Sequence, residues 1–431
     1  MRLRNHCICL FCFICLTTYS IALSYGQNNE ALASELFSLY SSSCKVNHEL
    51  WSLNLHSPIL LLDSVNDIAY TNFPLLAFQQ KQEKKVFVHK LKSYPDFNGP
   101  IIQWKDRTWI AVYLPWKAGI KEKLAFLAHE SFHIKQVKLG IKGSFLSYPY
   151  LSTSRGKHLM NLELQELVKA LDTSDIVERK NHIKKALSIR GYRYKEFPQS
   201  EELEKQAELN EGLAEYTGLM YAGYSQDELV KYYGTAIKIL AEGNTEAGYP
   251  YLSGSLYAFL NDRSMQKWKN FIPENSISDI CANLYSVDSL EIVHSLKNDF
   301  LSTAYALPKD SNNQEKELQI FLREYFSQRQ LILSLSGSSV NFGSSLVFSL
   351  ENLGTVYNSI IITSNWGKLE VGEKGKVLIS QKESKIVLNA DSLTLKENLI
   401  KGENWQLLLK EQFEIVEKKG SFYVQRTSGS Q

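Results

Sequence analysis

The residues whose types and spacing could do chemistry are His129-Glu130-Ser131-Phe132-His133, an H-E-x-x-H run. On a helix, side chains four residues apart share a face, with Cβ atoms about 5–6 Å apart. Two imidazoles so placed can each bring a ring nitrogen to one Zn²⁺ at about 2.0–2.1 Å. Glu130 follows the first histidine by one residue, about 100° round the helix. There it can reach a water that the metal activates without itself being a ligand. Leu124, Phe126, Leu127, Ala128 and Phe132 surround the run, so the helix expected over Lys121 to Lys138 is mostly apolar and buried. Buried histidines and a buried glutamate need partners. A metal, with groups hydrogen-bonded to its ligands, would provide them.

A catalytic zinc site takes three protein ligands and leaves a fourth position open. Further carboxylates occur in Asn210-Glu211-Gly212-Leu213-Ala214-Glu215-Tyr216, inside a helical run expected over Glu201 to Tyr221. Here the chain resembles the gluzincin group of zinc metallopeptidases, whose third ligand is a glutamate on a later helix. Asn-Glu-Gly-Leu-Ala is similar to the Asn-Glu-Gly-Phe-Ala run of the related aminopeptidases. The resemblance implies that Glu211 is the third ligand, with Glu215 or Glu208 next in line. It also implies that Glu215, one turn on, hydrogen-bonds a ligand histidine, a contact that fixes the ring tautomer.

A third likeness lies in Tyr251-Leu252-Ser253-Gly254-Ser255. It resembles the aminopeptidase Tyr-x-Lys-Gly-Ala run, with Ser253 where the lysine would stand. That likeness implies Tyr251 as a hydrogen-bond donor to the oxyanion, a role for which a phenol near zinc is suited. Tyr249 and Tyr257 are the neighbouring alternatives. Two departures bear on this. The interval between His133 and Glu211 is far longer than in the compact families and must hold an inserted helical stretch, about Gly156 to Phe197. No Gly-x-Met-Glu-Asn run is present, with which aminopeptidases hold a free amine, so aminopeptidase specificity does not carry over.

The elements that must position these groups follow from patterning. Glu30 to Tyr40 reads as an amphipathic helix, and 86–91 and Thr108–Leu114 as strands ended by polar breaks and by Pro115. In zinc peptidases a strand placed like Thr108–Leu114 borders the cleft, where an open edge could pair with an extended substrate. The insert carries Met160, Leu164, Leu167, Val168 and Leu171 at helical spacing, as core. His158 and His182 are expected at the surface, and neither has partners at ligand spacing. Helices continue from Asp227 to about Phe326, with breaks near Gly243–Pro250, Asp262–Ser264 and Pro273–Ser276. After Arg329 short apolar runs recur with Gly, Asn and Asp between them, at Leu331–Leu335, Leu346–Leu350, Ser359–Thr363, Lys376–Ile379, Lys385–Leu388, Trp405–Leu409, Phe413–Val416 and Ser421–Val424. That is the texture of a small all-β sandwich or barrel, and it contains no histidine.

The beginning of the chain reads as an export signal, with a basic Met1–His6, an apolar Cys7–Leu16 and small residues before a cleavage point at Gln27. Four of the six cysteines lie in it, leaving Cys44 and Cys281, either paired or as two buried thiols. The formal net charge of +2 gives no reason to expect nucleic acid or an acidic membrane as partner.

Together these readings give an α+β zincin-like catalytic domain, largely helical after the H-E-x-x-H helix, followed by a small all-β C-terminal domain. The expected divisions are 1–26 as signal peptide, 27–117 as the N-terminal α/β part, 118–328 as the helical peptidase region and 329–431 as the all-β part. The expected function is that of a secreted or periplasmic zinc metallopeptidase acting on a peptide or protein substrate, with no membrane anchor left after signal cleavage. His129, His133 and Glu211 would bind Zn²⁺, with Glu130 as base. A zinc-binding interaction protein on a degenerate peptidase fold stays open, as does a hydrolase of another carbonyl substrate.

Overall fold

The computed structural model describes residues 29–75, 86–91, 95, 99–142, 149–198, 200–242, 248–264, 267–287, 320–336, 338–342, 347–350, 353–372, 374–380 and 383–427. The expected signal, residues 1–26, lies outside them. Among the described residues no helix is long and apolar enough to cross a membrane.

The chain is α+β, with a helical portion and a β portion. Helix α1 (Asn29–Val46) leads into a five-stranded sheet made of β1 (Ile59–Asp63), β2 (Ile68–Thr71), β3 (Phe87–Lys90), β4 (Ile101–Trp104) and β5 (Arg107–Tyr113), in the order β3-β2-β1-β5-β4. Strands β1 and β5 pair in parallel, with Ile59 opposite Ile110, and the other pairs are antiparallel. The period-two alternation of a strand divides this sheet into two cores. Ile59, Leu61, Tyr70 and Ile110 face the helices, whereas Leu60, Leu62, Ala69, Trp109 and Ala111 form a small core on the other face. Because β5 is paired on both sides, it is not the open edge considered from sequence. The edges are β3 and β4.

Helix α2 (Ile120–Lys135) carries the H-E-x-x-H run, and every side chain from Lys123 to Phe132 is buried. It ends three residues earlier than expected, tightening into a 3₁₀ turn at Gln136–Leu139 that Gly140 closes in the left-handed conformation at φ 77°. The insert is a helical hairpin of α3 (Ser154–Asp172) and α4 (Ile176–Glu196). The hydroxyl of Thr153 and the carboxylate of Asp175 accept the first free N–H groups of these helices.

Beyond the insert, the expected single helix 201–221 is instead α5 (Ser200–Ala207), a π turn at Glu208–Gly212 and α6 (Leu213–Tyr221). Then come α7 (Gln226–Glu242), α8 (Tyr249–Asp262), which opens with Pro250 in its first turn, and α9 (Ile277–Leu284). Of the helix expected to run on to Phe326, residues 288–319 lie outside those described, and 320–327 are helical.

The C-terminal portion holds thirteen described strands in two sheets. The first sheet comprises β6 (Gln330–Ser334), β8 (Val347–Leu350), β9 (Gly354–Tyr357), β12 (Val377–Ser380), β13 (Lys385–Asn389), β17 (Phe413–Lys418) and β18 (Ser421–Arg426), in the order β17-β18-β6-β13-β12-β9-β8. The second comprises β7 (Ser339–Phe342), β10 (Ile360–Ser364), β11 (Gly367–Val371), β14 (Thr394–Lys396), β15 (Leu399–Gly402) and β16 (Trp405–Leu409), in the order β14-β15-β16-β11-β10-β7. Leu331, Ile379 and Ile386 of the first share one core with Ile362, Leu369 and Leu407 of the second, as in a sandwich. The short helix at 320–327 covers the outer face of the first sheet through Leu322 and Phe326.

Candidate metal centre

Helices α2 and α6 cross at very short range, and a glycine permits it. A Cβ on Gly218 would come within 2.6 Å of the Ala125 carbonyl oxygen on α2. A second close approach holds the π turn against α8, where a Cβ on Gly212 would meet Gly254 Cα at 2.6 Å and the Pro250 carbonyl oxygen at 2.8 Å. The glycine of the Asn-Glu-Gly-Leu-Ala run is therefore required by the close packing of the π turn against α8. The π turn adds a residue to the helical register, with Leu213 N–H bonding to Glu208 O, and this turn carries Glu211. Such turns are rare and occur often at functional sites.

At this crossing the structure brings His129, His133 and Glu211 together, and the donor atoms of this group lie within 4.8 Å of one another, as a metal ion would require. The two Nε2 atoms are 3.1 Å apart. Glu211 Oε2 lies 3.2 Å from His133 Nε2 and 3.7 Å from His129 Nε2. A tetrahedral ion with bonds of about 2.0–2.1 Å spaces its ligand atoms about 3.3 Å apart. Hydrogen bonding elsewhere on the rings decides what these atoms present. His129 Nδ1 faces Glu215 Oε2 at 3.2 Å, and His133 Nδ1 faces Gln136 Oε1 at 3.1 Å. Both oxygens can only accept, so both Nδ1 atoms carry hydrogen and donate. Each Nε2 then turns a lone pair toward the other and toward Glu211 Oε2, which is buried with no hydrogen-bond partner. Three converging lone pairs repel one another unless a proton or a metal ion lies between them, and the donor set present fits a metal ion.

The same arrangement favours positive charge at this point, whether a proton or a metal ion supplies it. Burial pulls His129 down, but the carboxylates of Glu211 and Glu215 outweigh it and raise it to about 10. Burial likewise opposes charge on His133, yet Glu211 raises that group too. Burial would raise Glu211, but His133 and His129 hold it well below the carboxylate range. Glu130 is buried beside the group without belonging to it. Desolvation lifts its carboxyl, and His129, His133 and Glu211 all act on it electrostatically.

Glu215 accepts a second hydrogen bond, from the Tyr232 hydroxyl of α7, which no pattern in the sequence marks out. Tyr251 stacks on the His129 ring, with centroids 5.6 Å apart and planes 5° from parallel. A relay holds its backbone in place. Tyr233 donates to Ser255 Oγ at 2.7 Å, and Ser255 donates to the Tyr251 carbonyl.

The alternative candidates have other engagements. Glu208 takes both terminal nitrogens of Arg190, at 3.0 and 2.5 Å, and the Ser253 hydroxyl. Tyr249 donates to Glu163 at 2.8 Å and Tyr257 to Glu163 at 3.0 Å. His182, expected at the surface, is instead mostly buried, with Nδ1 2.7 Å from Glu166 Oε2. His158 is half-buried at the start of α3. Cys44 and Cys281 are buried free thiols, and desolvation pushes Cys44 up to about 12. Gln136 was not marked in the sequence. Its signal is the three-residue step from His133 along one helix face.

No known family model matches this chain, and neither a characterised protein nor a solved structure matches it.

Proposed function

We propose that this chain is an exported zinc-dependent peptidase of the gluzincin type, hydrolysing peptide bonds of a peptide or protein substrate. The observation that carries the reading is the convergence of His129, His133 and Glu211 beside a buried glutamate, Glu130, that is not one of the converging ligands. Two histidines and one glutamate make up a donor set of catalytic rather than closed structural zinc sites. A site that only bound metal would have no use for a buried carboxyl next to it.

When bound, Zn²⁺ polarises a carbonyl and lowers the pKa of water toward neutrality. The remaining chemistry belongs to the chain's own residues. Glu130 takes the proton of the attacking water and passes it to the departing amine. Its raised pKa suits both halves of that transfer, because an ordinary carboxylate is a weak base near neutral pH. Glu215, held in turn by Tyr232, keeps His129 in the tautomer that presents Nε2. Tyr251, anchored through Ser255 against His129, is the candidate donor to the oxyanion of the attacked carbonyl.

The test is turnover of a broad fluorogenic peptide library by purified protein, with and without phenanthroline. Cleavage that chelation abolishes and Zn²⁺ restores would support the reading. A protein that holds zinc but cleaves no peptide would overturn it in favour of a binding role.

A further inference from the structure

Behind the converging donors a closed chain of amide hydrogen bonds links two of them. Glu211 Oε1 receives Asn210 Nδ2 at 2.8 Å. Asn210 Oδ1 receives Gln136 Nε2 at 2.5 Å. Gln136 Oε1 faces His133 Nδ1 at 3.1 Å. Gln136 and Asn210 are 4% and 7% exposed, so water does not compete freely for these bonds.

The direction of the chain follows from its carboxylate end. Glu211 Oε1 can only accept, so the Asn210 atom facing it must be the amide nitrogen. That turns Asn210 Oδ1 toward Gln136, which must present its own nitrogen there. Gln136 then has only its carbonyl oxygen for His133. His133 must carry its proton on Nδ1, and Nε2 is left as a lone pair aimed at Glu211 Oε2. Reversing Asn210 would set like groups against each other at both of its contacts, and reversing Gln136 would set its oxygen against Asn210 Oδ1. The same chain occupies Glu211 Oε1, so Oε2 alone is free for a metal.

We propose that Gln136 is a positioning residue of the metal centre: through Asn210 it ties the His133 tautomer to the Glu211 carboxylate, so that the two ligands are set as a pair. The proposal rests on the reading of His129, His133 and Glu211 as a metal site. It concerns how the site is organised rather than the reaction. Partners that orient metal ligands typically contribute about 10–100-fold in metal affinity.

The experiment measures Zn²⁺ affinity by competition with a chelating indicator, and the visible spectrum of the Co²⁺-loaded protein. The proteins are wild type, Gln136→Met, Asn210→Ala and the double variant. Each single variant is expected to weaken Zn²⁺ binding about 10–100-fold and to change the Co²⁺ spectrum. The double variant is expected to lose little more than the worse single one, because residues in one network are not additive. Unchanged affinity and spectrum in both single variants, even with a lower unfolding temperature, would overturn the proposal and leave Gln136 a packing residue. Losses that multiply in the double variant would also overturn it, by showing that the two act independently. If Gln136→Met does not fold, Asn210→Ala decides alone, since the chain passes through it. A wild type that binds no Zn²⁺ would overturn the metal site itself. That result differs from every outcome in which wild type binds and the variants are compared with it.

Discussion

Glu130 and the two histidines beside it occupy one buried turn of helix, and their roles separate under substitution. Glu130→Gln keeps shape and volume, removes the proposed base and leaves the three converging donors untouched. Metal content should stay at the wild-type level while peptide turnover falls about 10²–10⁴-fold. Turnover equal to wild type would remove Glu130 from the mechanism. Glu163 supplies a different test, of stability rather than chemistry. Burial would raise it, but Arg190 and Arg193 outweigh that and hold it at about 2, below its ordinary 4.5. A depressed folded-state value means that the unfolded chain binds the proton more readily. Its contribution is therefore present above pH 4.5 and is lost as pH falls toward about 2. Urea midpoints between pH 5 and pH 2 should fall for wild type and fall less for Glu163→Gln. The grouping of His129 and His133, with Glu130 buried beside them, was legible in the sequence because these residues lie within one helical turn. Tyr232 and Gln136 were not, because one reaches the site from another helix and the other has the composition of any helix end.

Two devices at the scale of elements hold Glu211. The first is the pair of glycine contacts. Gly218→Ala would push a methyl against the Ala125 carbonyl, which belongs to backbone and cannot swing aside. A loss of about 1–3 kcal/mol in unfolding free energy is expected from such overpacking, with weaker metal binding, because α6 must move off α2. Denaturant titration of the variant checks the first and zinc competition the second. The other device is the insert. Arg190 and Arg193 of α4 are nearly fully buried and bridge Glu163 of α3, Glu204 of α5 and Glu208 of the π turn. The long interval between His133 and Glu211 thus forms a brace against the turn that carries the third candidate ligand. Arg190→Met should cost about 3–5 kcal/mol, because it leaves Glu163 and Glu208 short of their counter-charge in the interior. A wild-type urea midpoint would contradict that placement. The helical periodicity of the insert was readable from Met160 to Leu171, but its ion pairs join residues on four separate elements. Strand β1 was missed for a related reason. Ile59 to Leu62 is apolar throughout, as a strand buried on both faces must be, and shows no alternation.

Across the whole molecule the candidate metal centre and the β sandwich occupy different cores. The helical core runs from α1 to residue 287, and the sandwich core begins at Leu331 with no residue in common. All nine histidines precede residue 295. The turn residues after Arg329 made the β texture legible, although β7, β9, β11, β14 and β15 escaped notice. Metal that binds only the folded helical portion should stabilise that portion alone, by about 2.7 kcal/mol at a hundredfold excess over the dissociation constant. In calorimetry, chelation should therefore lower the helical transition and leave the β transition where it was. A shift of both together would mean that the two cores unfold as one. The central claim is most directly tested by zinc stoichiometry, measured by elemental analysis on purified wild type and on Glu211→Ala. About one zinc per wild-type chain, largely lost in the variant, is the expected result for a three-ligand catalytic site. Wild-type protein that holds no zinc even after loading with the metal would contradict it and leave the convergence of His129, His133 and Glu211 without a catalytic meaning.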